Sequence, residues 1–273
     1  MEKLQAALEK ARKQREEIAA TDLGSSPVPG EKQAPTAPPT HHDALWDSLP
    51  TFTVNDQQID RYHLVSGTPT AAATHFDILR TKVLLQMKEN NWTRLAITSP
   101  MPASGKTTTA CNLALGLGRQ DNLRTILMDT DLRAPSLSEF FNTTPPHGIS
   151  DVLTGRVDFG DQAMRLGKNV ACCMANKAET DPARILLAEQ TSNVLDEIEA
   201  RYKPDIMIFD LPSMLVSDDT RAFLKNVDCA LLVIRSNVTR FSQLDTCERE
   251  AAGYTNVMGV VLNGYMSAMP DQQ

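Results

Sequence analysis

The sequence predicts an α/β fold in which a mostly parallel central sheet is covered by helices on both faces. Short apolar runs, typical of buried strands, alternate with helical patterns along the chain, as in sheets built from right-handed crossovers. One apolar run, from Leu95, leads through a loop of prolines and small residues into a helix that opens at Gly105. Two later runs end at Asp129 and Asp210, where strands of such sheets carry their ligands.

Composition limits the classes of function. The 273 residues, 41% of them hydrophobic, can bury a full core, and composition shifts indicate one domain of roughly 200 residues behind an N-terminal extension. The net charge of -7 argues against nucleic acid as the main partner, because phosphate-backbone binding needs a basic face. No apolar run approaches the roughly 18 residues that span a bilayer, and the N-terminus lacks a signal-peptide centre, so we expect a cytoplasmic protein. Its five scattered cysteines imply neither a disulfide framework nor a zinc site.

The N-terminal region divides by composition. Residues 1–20 have the spacing of an amphipathic helix with a thin apolar stripe, which either frays or docks on another subunit or a membrane-protein partner. Residues 21–48 are rich in Gly, Ser, Pro, Ala and Thr, so we expect a flexible linker, and the pair His41-His42 is more typical of a linker than of a metal site. Residues 49–273 form the predicted α/β domain.

Hydrophobic spacing gives the elements of this domain in order. Residues 52–54 are a candidate strand in an otherwise unassigned segment, and apolar residues three and four apart predict an amphipathic helix over residues 71–90. After the loop and its helix, continuous apolar runs predict buried strands at residues 125–128, 170–174, 206–209, 230–234 and 257–262. Helical patterns predict helices at residues 148–155, 185–202 and 240–253.

The loop between Leu95 and the following helix has the order of a phosphate-binding site. Backbone N–H groups at the start of a helix bind phosphate, a lysine at position 106 would reach the β and γ oxygens, and the Thr107 hydroxyl would ligate Mg2+. The strict motif has glycine where Pro100 stands, and a surface turn can use the same letters Gly105-Lys106-Thr107. The loop alone therefore leaves both interpretations open.

Carboxylates at the ends of two predicted strands strengthen the nucleotide interpretation. Asp129 and Asp131 follow the run at residues 125–128, and Asp210 follows the run at residues 206–209. A hairpin could use either pattern alone. Together with the loop and its lysine, however, they supply what Mg-ATP needs: a phosphate cradle, a cation, and carboxylates that hold the metal or its waters.

These motifs resemble those of the bacterial tyrosine autokinases of capsular and exopolysaccharide synthesis. The resemblance extends from about Phe76 to Gly264 and is strongest at residues 98–107, 127–133, 209–212 and 260–264. It implies a P-loop NTPase-like fold and an enzyme that uses ATP and Mg2+ to phosphorylate tyrosines on itself or its neighbours. It also implies a separate membrane protein, the polysaccharide chain-length regulator, as partner, which would place this chain peripherally at the inner membrane.

The resemblance also implies roles for individual residues. Asp129 would accept the tyrosine proton, Asp210 would hold a metal-bound water, and Asn263 would lie near the adenine. The implied nucleotide-binding set is Pro102, Ala103, Ser104, Gly105, Lys106, Thr107, Thr108 and Asn263. The implied metal ligands are Thr107, Asp131 and Asp210, and the implied catalytic residues are Lys106, Asp129, Asp131 and Asp210.

The chain departs from the family pattern in three places. Ala103 stands where the family loop has glycine, so a positive φ there would carry strain. The oligomer motif Glu-x-x-Arg-x-x-Arg keeps only its last arginine, since its three defined positions are Thr74, Asp77 and Arg80. In place of a C-terminal tyrosine cluster there is only Tyr265, and the other tyrosines of the chain are Tyr62, Tyr202 and Tyr254.

From the sequence we expect a protein tyrosine kinase that regulates polysaccharide polymerisation or export. Its partners could include further copies of itself in a homo-oligomer. A positioning or assembly ATPase of the same fold is a second hypothesis, which the absence of a lysine at Met101 weakens. A nucleotide-binding adaptor that transfers nothing is a third, because the tyrosine cluster is missing.

Overall fold

The computed structural model describes residues 41–64 and 71–265. The helix predicted for residues 1–20 and most of the predicted linker lie outside the described residues. Within the described ranges, no helix combines the length and apolar character that a bilayer span requires.

Eight strands form one sheet, which confirms the predicted fold class. Their order across the sheet is β1-β4-β5-β3-β6-β2-β7-β8. The six strands from β5 to β8 in this order run parallel, and β4 pairs antiparallel with β5 at one side. The strands are β1 (Thr51–Phe52), β2 (Arg94–Ser99), β3 (Thr125–Asp129), β4 (Met164–Leu166), β5 (Val170–Cys173), β6 (Ile206–Ser213), β7 (Cys229–Arg235) and β8 (Asn256–Asn263).

Helices cover both faces of the sheet. Successive residues of a buried strand point to opposite faces, and in β3 Ile126 joins one apolar cluster while Leu127 joins the other. Helices α3 and α4 pack in the cluster of Leu127, and α9 packs in that of Ile126. The helices are α1 (His41–Asp47), α2 (Asp56–Tyr62), α3 (Ala71–Asn90), α4 (Lys106–Leu117), α5 (Leu137–Phe140), α6 (Ile149–Leu153), α7 (Phe159–Gln162), α8 (Pro182–Leu186), α9 (Glu189–Tyr202), α10 (Asp219–Leu224) and α11 (Phe241–Ala252).

The single helix predicted over residues 185–202 is two helices, α8 and α9. Ala188 between them is extended, with φ -63° and ψ 139°. The Thr191 hydroxyl donates to the Ile185 carbonyl at 2.6 Å, so a side chain satisfies a carbonyl at the end of α8. The apolar spacing continues across the break, which is why the sequence pattern did not reveal it.

The predicted linker ends earlier than residue 48, because residues 41–47 form α1. Trp46 in this helix is only 2% exposed, and its indole N–H donates to the Lys168 carbonyl at 2.9 Å. Its ring meets that of Tyr202 edge-on, with centroids 6.5 Å apart. Burial of one large aromatic side chain therefore holds this segment on the domain.

Strand β6 continues past its predicted end and brings Asp210 into the sheet. It pairs with β3 on one side and β2 on the other, so Asp210 lies beside Asp129 and Ile97. The predicted phosphate loop follows β2 at the same edge of the sheet. The three sequence features that predicted the site therefore meet at the carboxyl ends of adjacent strands.

Candidate functional site

The loop between β2 and α4 is folded by its own hydroxyl groups. The side chains of Ser99 and Ser104 both donate to the Met101 carbonyl, each at 2.8 Å. Ala103 has φ 58° and Gly105 has φ 89°, so two nearby residues lie in the left-handed region. Ala103 therefore has the positive φ that, for a residue other than glycine, carries strain.

The start of α4 leaves backbone donors available. Gly105 precedes the helix without a capping side chain, and the Thr109 amide donates to the Gly105 carbonyl at 2.9 Å. The amides of residues 106–108, one turn earlier, have no acceptor within the helix. They lie at the positive end of the helix dipole, which is an arrangement that binds phosphate groups.

Gly105 has no space for a side chain. A Cβ built on Gly105 would lie 2.0 Å from Nδ2 of Asn263, which itself donates to the Ser104 carbonyl at 3.0 Å. We expect Gly105→Ala to weaken nucleotide binding at least about tenfold, because both the φ of 89° and the Asn263 contact disfavour a side chain. Fluorescence titration with a labelled nucleotide measures this. Gly116→Ala in the same helix is the control, since its Cβ would meet only Arg80 at an ordinary 3.6 Å; equal affinities of the two variants would contradict the expectation.

Lys106 is the cation of the site. Its Nζ donates to Oδ2 of Asp131 at 2.9 Å, and both side chains are largely buried. Burial alone would lower the pKa of Lys106, but the negative charges of Asp210 and Asp131 outweigh it and raise the pKa. Lys106 therefore carries a firm positive charge next to the loop.

Asp210 is buried, and among the described residues neither of its carboxylate oxygens has a hydrogen-bond partner. Its backbone is fixed, because the Thr130 amide and hydroxyl both donate to its carbonyl, at 3.0 and 2.9 Å. Burial raises the pKa of the Asp210 carboxyl group to about 6. The positive charge of Lys106 and the nearby hydroxyl of Thr107 lower this pKa, but by less than burial raises it. Such an unsatisfied buried carboxylate is costly unless a cation completes it.

Asp129 has a different environment. It is fully buried, and its Oδ2 accepts hydrogen bonds from the amides of Ser136 and Leu137, at 3.1 and 3.0 Å, at the start of α5. Burial, followed by the charge of Asp210, raises the pKa of Asp129 well above its usual value. Asp129 thus holds the segment at the start of α5. Asp131, two residues later, lines a cavity in front of the loop, whereas Asp129 does not.

A cavity of about 810 Å3 lies in front of the loop. Of the residues predicted for the site, Ser104, Asp129, Asp210 and Asn263 do not line it; Asp210 lies beneath Thr107, and Asn263 lies behind the loop. The predicted residues that line it are Pro102, Ala103, Gly105, Lys106, Thr107, Thr108 and Asp131. The lining residues that the sequence analysis missed are Arg133, Ala134, Phe140, Pro212, Ser213, Val216, Ser217 and Asp218.

Arg133 is the second cation of this cavity. Its Nε and Nη2 lie 2.9 and 3.1 Å from the two carboxylate oxygens of Asp219, which is buried at the start of α10. This bidentate pair orients a half-exposed guanidinium at the cavity wall. The only signal in the sequence was its place after the Asp129-x-Asp131 pattern, and the partner 86 residues away had none.

The polar groups of the site suit a Mg2+ ion that is shared with a phosphate ligand. Among the residues that the structure describes, no group of three or more His, Cys, Asp or Glu side chains could hold a metal ion. Thr107, Asp131 and Asp210 offer one hydroxyl and two carboxylates, and the unsatisfied oxygens of Asp210 suit a cation. Mg2+ is commonly held by one or two carboxylates together with substrate phosphates, so this donor set fits.

The degraded oligomer motif is engaged within the chain. Arg80 donates from Nη1 to Asp77 at 3.1 Å and to the Gly116 carbonyl at 3.3 Å, and Asp77 also bonds to Arg119. These contacts tie α3 to α4. They leave the remaining arginine of the motif in use as an internal contact.

Curated relatives of this chain include several bacterial tyrosine-protein kinases. No protein-family model matches the chain. The tyrosine-protein kinase Etk of Escherichia coli K12 is 29% identical over 189 residues, which are 68% of this chain and 26% of that protein. The tyrosine-protein kinase YwqD of Bacillus subtilis 168 is 28% identical over 189 residues, which are 68% of this chain and 78% of that protein. This chain therefore spans about a quarter of Etk and more than three quarters of YwqD.

Solved structures agree on the fold. The kinase domain of E. coli Etk superposes with a TM-score of 0.68 at 21% identity, over 87% of this chain and 98% of that domain. A cobyrinic acid a,c-diamide synthase of Mycobacterium smegmatis, solved with an ATP analogue and magnesium, superposes with a TM-score of 0.54 at 20% identity, over 65% of this chain and 74% of that one. In sequence this chain is similar to the bacterial tyrosine-protein kinases, as its motifs indicated, and it has the fold of their kinase domains.

Proposed function

We propose that this chain is a Mg2+-dependent protein tyrosine kinase that acts in exopolysaccharide chain-length control, polymerisation or export. The observation that carries the proposal is the cluster at the carboxyl edge of the sheet. There Lys106 pairs with Asp131 next to uncapped helix amides, and Asp210 lies beneath with two unsatisfied oxygens. This cluster supplies the groups that phosphoryl transfer requires, namely phosphate donors, a fixed cation and carboxylates.

Each side chain has a role in the proposed transfer. The loop amides and Lys106 would hold the phosphates of ATP, while Thr107 and Asp210 would hold Mg2+, which neutralises charge on the phosphates when bound. The γ-phosphoryl group passes from ATP to a tyrosine hydroxyl, the bond to the β-phosphate breaks, and ADP leaves. We assign the acceptance of the tyrosine proton to Asp131 in place of Asp129, because Asp131 lines the cavity and Asp129 is buried behind it.

Tyr265 is the tyrosine of the described chain that we propose as acceptor. It is 66% exposed and follows β8, whose last residue, Asn263, contacts the phosphate loop. Tyr202 is buried in the core, and Tyr254 precedes β8 and so lies at the other edge of the sheet. A neighbouring copy could present Tyr265 to this cavity as readily as the chain itself.

Substitution of the acceptor tests this assignment. Tyr265→Phe should remove most of the phosphotyrosine formed on the protein itself while ATP affinity stays unchanged, because only the hydroxyl is lost. Tyr254→Phe, at a tyrosine that is 52% exposed, is the matched control and should retain the label. Phosphopeptide mapping distinguishes them, and full labelling of Tyr265→Phe would reject Tyr265 as the acceptor.

A membrane polysaccharide chain-length regulator, as a separate protein, completes the proposal and places the chain peripherally at the inner membrane. This part of the proposal rests on the family resemblance of the motifs, with relatives that are tyrosine-protein kinases by name. Binding to vesicles that contain the regulator, compared with empty vesicles, measures the association.

Incubation with ATP labelled at the γ-phosphate and Mg2+, with and without the cytoplasmic tail of the regulator, tests the proposed activity. Label on tyrosine supports the kinase. Free phosphate without labelled protein would contradict it in favour of an assembly ATPase, and bound nucleotide with neither product would contradict it in favour of an adaptor.

A further inference from the structure

Two side chains at the ends of neighbouring strands donate hydrogen bonds to backbone carbonyls of the phosphate loop. Arg235, the last residue of β7, donates from Nη1 to the Ala103 carbonyl at 3.2 Å. Asn263, the last residue of β8, donates from Nδ2 to the Ser104 carbonyl at 3.0 Å. We call Arg235 and Asn263 the loop clasp.

The loop clasp is itself a connected unit. The Ser236 amide donates to the Asn263 carbonyl at 2.8 Å, and the Arg235 amide donates to the Thr239 hydroxyl at 2.9 Å. The backbones of both residues are thus fixed at the end of the paired strands β7 and β8. The side chains of Arg235 and Asn263 therefore bond to the loop from fixed backbone positions.

The two bonded carbonyls share their peptide groups with the amides of Ser104 and Gly105, at the start of the helix that the phosphates would contact. In a trans peptide the N–H of one residue points away from the carbonyl of the residue before it. The loop clasp keeps the carbonyls of Ala103 and Ser104 directed toward the ends of β7 and β8. The amides of Ser104 and Gly105 therefore point away from these strands. Ala103 and Gly105 line the cavity, where phosphates would lie.

Ala103 is the residue that needs such support. Its φ is 58°, a region that alanine disfavours and glycine enters freely. Without a restraint, an alanine here gains free energy by relaxing to negative φ, and nucleotide binding then has to restore the strained conformation. With glycine at the same position, this relaxation brings little gain.

We infer that Arg235 is a positioning residue which, together with Asn263, holds Ala103 in its positive-φ conformation and so keeps the phosphate loop ready for the nucleotide before it binds. The inference rests on the proposed nucleotide site. It assigns Arg235 a role through the loop backbone, in addition to any effect of its charge on the phosphates.

A double-mutant cycle on nucleotide affinity separates these two effects. The proteins are the wild type, Arg235→Ala, Ala103→Gly and the double variant, each titrated with Mg-ATP by calorimetry. We expect Arg235→Ala to raise the Kd about fivefold when residue 103 is alanine, and less than about twofold when it is glycine, because one hydrogen bond and the strain it restrains are at stake. Ala103→Gly alone should bind within about twofold of the wild type.

Charge-matched variants complete the test. Arg249→Ala removes the same charge from α11, where Arg249 pairs with Asp245, and should leave the Kd unchanged. Arg235→Lys keeps the charge near the site but loses the guanidinium geometry, so it should bind between the wild type and Arg235→Ala.

Equal effects of Arg235→Ala in both backgrounds would overturn the inference, since a charge effect alone does not depend on residue 103. An unchanged Kd in Arg235→Ala would overturn it as well. If all of the proteins, including the wild type, fail to bind Mg-ATP, it is the proposed function that fails.

Discussion

Lys106→Met should reduce ATP turnover at least about a hundredfold, because the variant loses the fixed cation that stabilises charge on the transferring phosphoryl group. Asp210 and Asp131 raise the pKa of Lys106, so its charge is present throughout the physiological pH range. Methionine keeps most of the length of the side chain but cannot donate. The nucleotide should also bind more weakly, and the effect on turnover should exceed the effect on affinity if the cation acts mainly in the transition state.

The control for this variant is Lys82→Met, which removes the same charge from an exposed position on α3. Turnover by Lys82→Met should equal that of the wild type, and far-UV circular dichroism should be the same for all three proteins. Lys106 stands at the first position of α4 and is not part of the apolar core. Its substitution should therefore leave the fold intact. Wild-type turnover by a folded Lys106→Met protein would refute the site.

Asp210→Asn should abolish Mg2+-dependent binding of ATP and at the same time stabilise the nucleotide-free protein. Burial raises the pKa of Asp210 from 3.8 to about 6, so ionisation at neutral pH costs stability in the folded state. A shift of about two units corresponds to at most about 3 kcal/mol, at about 1.4 kcal/mol per unit. We expect the free energy of unfolding at pH 7.5 to increase by about 1–3 kcal/mol, since asparagine is neutral and nearly isosteric.

The pH dependence of this gain follows from the direction of the shift. The folded state binds the proton more tightly than the unfolded state, so the contribution of Asp210 to stability falls as the pH rises from 3.8 to about 6 and then stays constant. The difference between Asp210→Asn and the wild type should therefore be small near pH 4 and full above pH 6. Urea denaturation at a series of pH values measures it.

Asp121→Asn is the control for Asp210→Asn, because it changes an exposed carboxylate in the loop between α4 and β3. It should leave Mg2+-dependent ATP binding unchanged. A lower stability of Asp210→Asn at pH 7.5, or full Mg2+ dependence in this variant, would show that Asp210 does not serve as the buried metal-side carboxylate.

Most strands could be predicted because strands inside a parallel sheet are buried on both faces and contain continuous apolar residues. Strand β8, which was predicted to be buried, instead lies at the edge of the sheet, and Val260 and Leu262 in it are exposed. Strand β3 begins at Thr125, as predicted. Helix α1 could not be predicted, because Trp46 is held by Lys168, which is 122 residues away in sequence. The break between α8 and α9 depends on the hydroxyl of Thr191, which leaves no mark on hydrophobic spacing.

In the candidate site, too, features within one continuous segment could be predicted, whereas contacts between residues far apart in the sequence could not. Lys106 and Thr107 both line the cavity, and they could be grouped from the sequence because they belong to one continuous segment. Ala103 has a φ of 58°, the conformation that carries strain for alanine. The difference between Asp129 and Asp131 could not be predicted, because it arises from the amides of α5 that fold over Asp129. The pair of Arg133 with Asp219 likewise depends on the packing of the segment after β6.

Calorimetric titration with ATP most directly tests whether the cavity in front of Lys106 is a Mg-ATP site. We predict one ATP per chain, with tighter binding in Mg2+ than in EDTA for the wild type and no gain from Mg2+ for Asp210→Asn. Absence of ATP binding to the folded wild-type protein, or equal affinity in Mg2+ and EDTA, would contradict it.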